Sequence, residues 1–287
     1  MEKIGNQKIW SYFEDHADRA RPAGNLAIRA AAGHRVGTYF ELAKKAAELQ
    51  FLNREHVLLF RGQSVDYRTT KGNSLLKASV FRLAKGKVPT AKILADRFRV
   101  LKDAEASLVE RYTTGRFLGR ERLKRQRILR WAILQHYEVC RTPLLDVTSS
   151  LRIAASFASI AAVNDAYVFV LGVPNLSGAV TASSEANLQI VRLSSACPPD
   201  AVRPHLQQGY LLGEYPEIAD FDQNANYSHY EMDFGRRLIA KFRFDPTTFW
   251  KNPDFPRATE QALYPKNHRD PLLNIAQELK ATLPATE

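Results

Sequence analysis

Residues 56 to 60, His-Val-Leu-Leu-Phe, form a short apolar run that meets Arg61 and Gly62 directly. So short and unbroken a run predicts a buried strand with a cation at its end. Ahead of it, Thr38 and Glu41 stand at capping-box spacing, and Phe40, Leu42, Ala43, Ala46, Ala47 and Leu49 follow at helical intervals. A polar stretch, 62 to 74, leads to a helical region around 89 to 112. A basic segment then enters a helix at 128 to 137, which Pro143 is expected to stop. Residues 144 to 148 are short, apolar and β-prone. Ser149 or Ser150 can cap a helix over 151 to 163, whose alanines suit close packing on a sheet. Further strands are expected at 167 to 173, 188 to 193, 209 to 212 and 238 to 244. Asp270 before Pro271 marks a helix start.

Strands interspersed with helices predict a mixed α+β fold. Residues 1 to 37 read as an N-terminal extension. Trp10, Tyr12 and Phe13 suit a docked element, whereas the Ala- and Arg-rich 19 to 35 suits a mobile one. Residues 38 to 287 show no internal boundary and no repeat, and read as one domain.

With 287 residues and 45% hydrophobic content, the chain can bury a sizeable core. Cys140 and Cys197 are too few for a disulfide framework and lack metal-ligand spacing, which fits a reducing, cytoplasmic setting. No signal peptide and no transmembrane helix are expected, since no apolar run is long enough. The net charge is +11, and part of it is concentrated. Arg111, Arg116, Arg120, Arg122, Lys124, Arg125, Arg127 and Arg130 face one nearby acid, Glu121. A phosphate-facing surface and an ordinary solvated helix face account for this equally well. On the first reading Arg120, Lys124 and Arg127 contact nucleic acid.

Several chemistries fit poorly. Ser149, His136 and Asp146 supply the residue types of a hydrolytic triad, but no Gly-x-Ser-x-Gly elbow surrounds the serine. Cys140 and His136 stand four apart on one predicted helix, an awkward thiol dyad. His16, His34, His56, His205, His229 and His268 are dispersed, so no metal site is expected. There is no P-loop and no dinucleotide-type glycine motif. Two readings remain for His136: a donor or general base near neutral pH, or a buried histidine that orients the following turn. Arg141 either meets a phosphate or pairs with Asp146, and the pair is favoured.

Phe60-Arg61-Gly62 and the block from Gln135 to Ala158 together resemble the FRG domain family, over roughly residues 38 to 280. Ser79-Val80-Phe81-Arg82, Arg203 through Gln207-Gln208-Gly209-Tyr210, and Leu263-Tyr264-Pro265 add to the resemblance. That family in turn resembles the ADP-ribosyltransferases. The resemblance implies a split, strongly curved β-sheet core, flanked by helices, that grips NAD as substrate. It implies that Arg61, with Gly62 and Gln63, meets the phosphates or ribose of NAD. Thr148, Ser149 and Ser150, backed by Phe157, would support the nicotinamide ribose, and His136 falls within the same block. An arginine offers a planar fork to phosphate, and small hydroxyls can bond a ribose without filling the slot.

The superfamily carries a glutamate at the third element, where this chain has Gln208. Glutamine can hold a ribose but supplies no charge. Asp146, with Glu214 and Glu217 as alternatives, is therefore the candidate acid. The catalytic set is Arg61, Thr148, Gln208 and Asp146. The expected activity is transfer of ADP-ribose to a macromolecule. RNA or DNA is favoured over protein because the chain is basic. The resemblance further implies a toxin or phage-defence role, with an antitoxin or regulator as partner. The alternative is a non-catalytic module that binds a nucleotide or nucleic acid.

Overall fold

The structure is a computed structural model that describes residues 1–4, 9–83, 88–218, 232–266 and 270–284. A hairpin of β1 (Ile9–Ser11) and β2 (Arg21–Ala23) precedes α1 (Asn25–Ala30), β3 (His34–Arg35) and α2 (Tyr39–Leu52). Then come β4 (Val57–Gln63), a 3-10 turn at Ser79–Phe81, α3 (Ala91–Thr114), α4 (Arg120–Arg125) and α5 (Arg127–His136). β5 (Leu145–Thr148), α6 (Leu151–Ile160), β6 (Ala166–Val173), β7 (Val180–Ser183), β8 (Leu188–Arg192), α7 (Leu193–Ala196) and α8 (Val202–Leu206) follow. The chain continues through β9 (Gly209–Glu214), β10 (Leu238–Phe244), α9 (Pro246–Phe249), α10 (Glu260–Leu263) and α11 (Pro271–Thr282).

Local chemistry sets most boundaries. Thr38 Oγ1 accepts from the Glu41 N–H at 3.2 Å, and the Glu41 carboxylate accepts from the Gly37 N–H at 2.8 Å, which starts α2. Ser150, rather than Ser149, caps α6 by accepting from the Ile153 N–H at 3.4 Å. Asp270 accepts from the N–H groups of Leu272 and Leu273 and starts α11. Two boundaries differ from expectation. β4 runs on through Arg61, Gly62 and Gln63, because its pairing with β6 continues to Gln63↔Tyr167 whatever the side chains. α5 ends at His136, well before Pro143, since Glu138 takes a left-handed φ of 57° that no helix continues.

Eight strands pair in the order β3-β10-β6-β4-β5-β9-β8-β7, antiparallel except for β3 on β10. The fold is thus mixed α+β. The sheet narrows sharply at its centre, where β4 and β5 share one residue pair, Phe60↔Thr148. Four strands lie on each side of that pair. The core is continuous across it: β6 and β10 are almost wholly buried, and α6 packs on β4 and β6.

Residues 19 to 35 are docked rather than mobile. β3 extends the sheet at β10, and Asn25 Nδ2 donates to the carbonyls of Gly235 and Leu238 at 3.0 Å each. The buried Lys241 ammonium donates to Ala31 O, Asp66 Oδ2 and Ser74 Oγ at 2.6 to 2.7 Å, tying this segment to the sheet. Among the described residues no helix is long and apolar enough to cross a membrane. His229 and His268 lie outside the described residues.

Candidate functional site

Beyond the Phe60–Thr148 pair the two central strands part, and the Arg61 guanidinium enters the gap. Its Nη1 donates to the Asp146 carbonyl at 2.6 Å. A side chain thus satisfies a β5 carbonyl where no β4 ladder bond is made. The gap opens into a pocket of ≈ 630 Å³, within the range of small-molecule sites. β4 supplies Arg61, Gly62 and Gln63, and the following loop supplies Tyr67. Arg82 follows the 3-10 turn, Gln135 and His136 end α5, and Asp146 and Thr148 come from β5. Phe157 projects from α6, Arg203 and Gln207 from α8 and its end, and Tyr264 from beyond α10.

Three cations, Arg61, Arg82 and Arg203, and three acids, Glu138, Asp146 and Glu260, line the walls, and the arginines act together on Asp146. Burial pushes the Asp146 carboxyl up, while Arg61, a hydrogen bond from Gln135, Arg82 and Arg203 pull it back down. Burial lowers Arg61, and burial together with the Arg61 charge pushes Arg82 down to about 9. Both stay protonated at neutral pH, so three guanidinium groups share one inner carboxylate. Arg203 reaches the exposed Glu138 at 2.9 Å and lies 4.5 Å from the Tyr264 ring centre. Four polar atoms of lining residues are buried with no hydrogen-bond partner among the described residues: Arg61 Nε, Gln63 Oε1, His136 Nε2 and Arg203 Nε. Buried unpaired polar atoms are costly and few in native proteins, so four around one cavity fit a site that a polar ligand completes.

Seven of the expected residues meet here: Arg61, Gly62, Gln63, His136, Asp146, Thr148 and Phe157. Their roles differ in part from expectation. A Cβ on Gly62 would stand 1.8 Å from the Ala154 carbonyl oxygen, so this glycine admits helix α6 onto the strand. Thr148 Oγ1 donates toward the carbonyls of Gln207 at 2.8 Å and Gln208 at 3.1 Å, and accepts from the Ser150 N–H at 3.0 Å. Its hydroxyl is spent on the protein's own backbone. Burial, with the charge of Arg203, pushes His136 down to about 3, so its imidazole stays neutral at pH 7 and is a weak base.

Ser149, Ser150 and Gln208 do not line the pocket. Ser149 is exposed and Ser150 caps α6, so no Ser-His-Asp arrangement forms. Gln208 holds a left-handed φ of 46° and its side chain is exposed; only its carbonyl engages Thr148 and Ser149. The buried Gln207 faces the pocket instead, with Nε2 on the Leu263 carbonyl at 2.7 Å. Glu214 binds the Met1 ammonium at 3.1 Å, and neither it nor Glu217 lines the pocket. Arg141 donates to Ser79 O at 3.3 Å, and the partner of the Asp146 carboxylate is Gln135.

The basic stretch contributes nothing to the pocket lining. Arg120 and Lys124 share Glu121, while Arg127 and Arg130 share Glu105. Arg111 pairs with Glu278, and Arg122 donates to the carbonyls of Ser195 and Ala196. Arg120, Lys124 and Arg127 are nonetheless exposed, and each acid serves two cations.

Residues 56–166 match the family model of the FRG domain. The matched segment contains the strand bearing Arg61, and also Arg82, Gln135, His136, Asp146, Thr148 and Phe157. Arg203, Gln207 and Tyr264, from beyond the matched segment, complete its pocket. No curated protein and no solved structure matches the chain. Residue type alone assigns no role to Arg82, Gln135, Arg203 and Tyr264. Each nevertheless falls inside one of the short pieces that resemble the family, and two are cations beside apolar residues.

Proposed function

We propose that the pocket binds NAD and that the chain transfers its ADP-ribose to a macromolecule. The observation that carries this reading is that Arg61, Arg82 and Arg203 all act on the buried Asp146, with unpaired buried polar atoms on the same lining residues. Guanidinium groups suit the two phosphates of NAD, and the faces of Phe157 and Tyr264 suit a planar base. In the reaction the bond between nicotinamide nitrogen and the anomeric carbon breaks, and nicotinamide leaves with the electron pair. An oxygen or nitrogen of the acceptor bonds to that carbon and loses its proton. Asp146 is the inner carboxylate available to face the developing oxocarbenium charge and to accept from a ribose hydroxyl. A more open hollow of ≈ 900 Å³ shares Glu260 and Tyr264 with the pocket, and we assign it to the approaching acceptor. The net charge of +11 favours RNA or DNA as that acceptor. Together with the FRG match, this reading supports a toxin or phage-defence role held in check by an antitoxin or regulator.

The second reading, a non-catalytic nucleotide or nucleic-acid module, is favoured by one observation. The glutamine at the third element, Gln208, is exposed and does not line the pocket, and neither Glu214 nor Glu217 takes its place there. Nicotinamide release from NAD separates the two, measured with the purified chain alone and with RNA, DNA or cell extract. Transfer predicts release that falls on the order of 100-fold or more in Asp146→Asn, as when a transition-state charge partner is lost. Tight ADP-ribose binding without release establishes the binding module. Neither binding nor release removes NAD from this pocket.

A further inference from the structure

Two backbone amides set the direction of a hydrogen-bond chain that ends at Asp146. The Thr142 N–H donates to Ser79 Oγ at 2.9 Å, and the Leu144 N–H donates to Thr142 Oγ1 at 3.2 Å. Each hydroxyl oxygen is then already an acceptor. Their protons point to Gln135 Oε1, which lies 2.9 Å from Ser79 Oγ and 2.7 Å from Thr142 Oγ1. The second outlet for the Ser79 proton, Thr142 O, is farther, at 3.2 Å. The orientation of the Gln135 amide that satisfies both hydroxyl protons puts its oxygen toward the hydroxyls and Nε2 toward Asp146 Oδ2 at 2.6 Å. Asp146 Oδ2 is therefore always an acceptor. Oδ1 has no hydrogen-bond partner among the described residues, and Asp146 lines the pocket.

We propose that Asp146 Oδ1 is the atom that accepts the hydrogen bond of a ligand hydroxyl and that takes up the proton when Asp146 titrates, and that Gln135 is the positioning residue that keeps Oδ2 out of both roles. The ligand this fits carries a sugar hydroxyl beside an anionic group: the hydroxyl meets Oδ1 while the anion meets the arginines. The inference rests on the pocket being a ligand site, and it does not depend on catalysis. The charged and titratable groups that line the pocket with Asp146 are Arg61 on β4, Tyr67 in the loop after it, Arg82 after the 3-10 turn, His136 and Glu138 at the end of α5, Arg203 on α8, Glu260 on α10 and Tyr264 after it. The arginines favour the carboxylate, burial opposes it, and His136 stays neutral. The Gln135 hydrogen bond adds to the arginines, because it is stronger to an oxygen of the charged carboxylate than to the carbonyl oxygen of the protonated acid.

The test is a titration of the Asp146 carboxyl by carbon NMR on aspartate-labelled protein. Parent, Gln135→Met, Thr142→Ser and the pair Ser79→Ala with Thr142→Val are compared. Gln135→Met should move the Asp146 titration upward by about one pH unit, the scale of a lost hydrogen bond to a charged group. The pair, which frees the amide to turn, should move it part of the way, and Thr142→Ser should leave it in place. ADP-ribose affinity should shift its pH dependence by the same amount in each variant. Should Gln135→Met not fold, the pair against Thr142→Ser carries the comparison. An Asp146 titration unmoved in folded Gln135→Met, or moved equally by Thr142→Ser, overturns the proposal. Because the titration needs no NAD turnover, the expected shift without nicotinamide release would overturn the transferase reading alone.

Discussion

Arg61 and His136 occupy one pocket, and burial acts on them in opposite ways. Arg61 stays a cation because its ordinary value is so high that burial cannot neutralise it at pH 7. Removing its fork removes charge-assisted bonds to a phosphate. Arg61→Gln is expected to weaken ADP-ribose binding by roughly 10- to 100-fold, the worth of such bonds. Arg61→Lys should recover only part of that loss, because an ammonium cannot act as a planar fork. Isothermal titration of the three proteins checks this, and equal affinities would remove Arg61 from the ligand.

His136 instead becomes neutral, and that is visible in stability. Its folded value, pushed down to about 3, lies below the unfolded 6.5, so acid protonates the unfolded chain first. The stability it carries is complete above pH 6.5 and is lost as pH falls toward 3. Asp146 is shifted upward and so runs the other way, binding a proton more readily in the folded state and offsetting part of that loss. Urea midpoints at pH 7 and pH 4.5 should therefore converge in His136→Asn relative to the parent, by about 2 kcal/mol. An unchanged gap would mean that His136 titrates normally.

At the scale of elements, the site depends on how α6, β4, β5 and the turn into β9 lock together. Gly62 lets the α6 backbone lie directly on β4. Gly62→Ala must displace a whole helix and is expected to cost on the order of 3 kcal/mol, seen as a lower thermal midpoint. Thr148 Oγ1 holds the carbonyls of Gln207 and Gln208. Thr148→Val keeps the shape but leaves those carbonyls without that donor, for an expected loss of about 1–3 kcal/mol. Thr148→Ser keeps the hydroxyl and should stay within about 1 kcal/mol of the parent. If Thr148→Val were as stable as the parent yet failed to bind ADP-ribose, the hydroxyl would belong to the ligand rather than to the fold.

For the molecule as a whole, the basic surface and the pocket are separate features. Arg120, Lys124 and Arg127 are exposed, share their acids with other cations and lie outside the pocket lining. Exposed pairs of this kind are weak, so these cations remain free to meet phosphate. Replacing all three by glutamine should lower the slope of RNA or DNA affinity against salt by roughly 2 to 3, since each phosphate left without its cation keeps its own counterions. Nicotinamide release from NAD alone should not change. A slope equal to the parent's would make the stretch structural and direct the search for the acceptor toward protein.

Elements whose signal is local were legible in the chain. The α2 cap at Thr38 and the α11 start at Asp270 are enforced by hydrogen bonds within a few positions, and the apolar strands and the FRG-like pieces are visible in runs of neighbouring residues. Arg61 on a buried strand and Asp146 on β5 were also legible, although β4 runs past Arg61 to Gln63 instead of ending there. What tertiary structure alone decided is which atoms remain free. Residue type could not show that the Thr148 hydroxyl is taken up by carbonyls some 60 positions away. Nor could it show that Glu214 holds the Met1 ammonium, or that a left-handed turn sends Gln208 outward and leaves Gln207 in its place. It gave Gln135 no part, although two distant hydroxyls aim its amide at the acid. A side chain's chemistry is inherited from its type, but its availability depends on partners that folding brings from elsewhere in the chain.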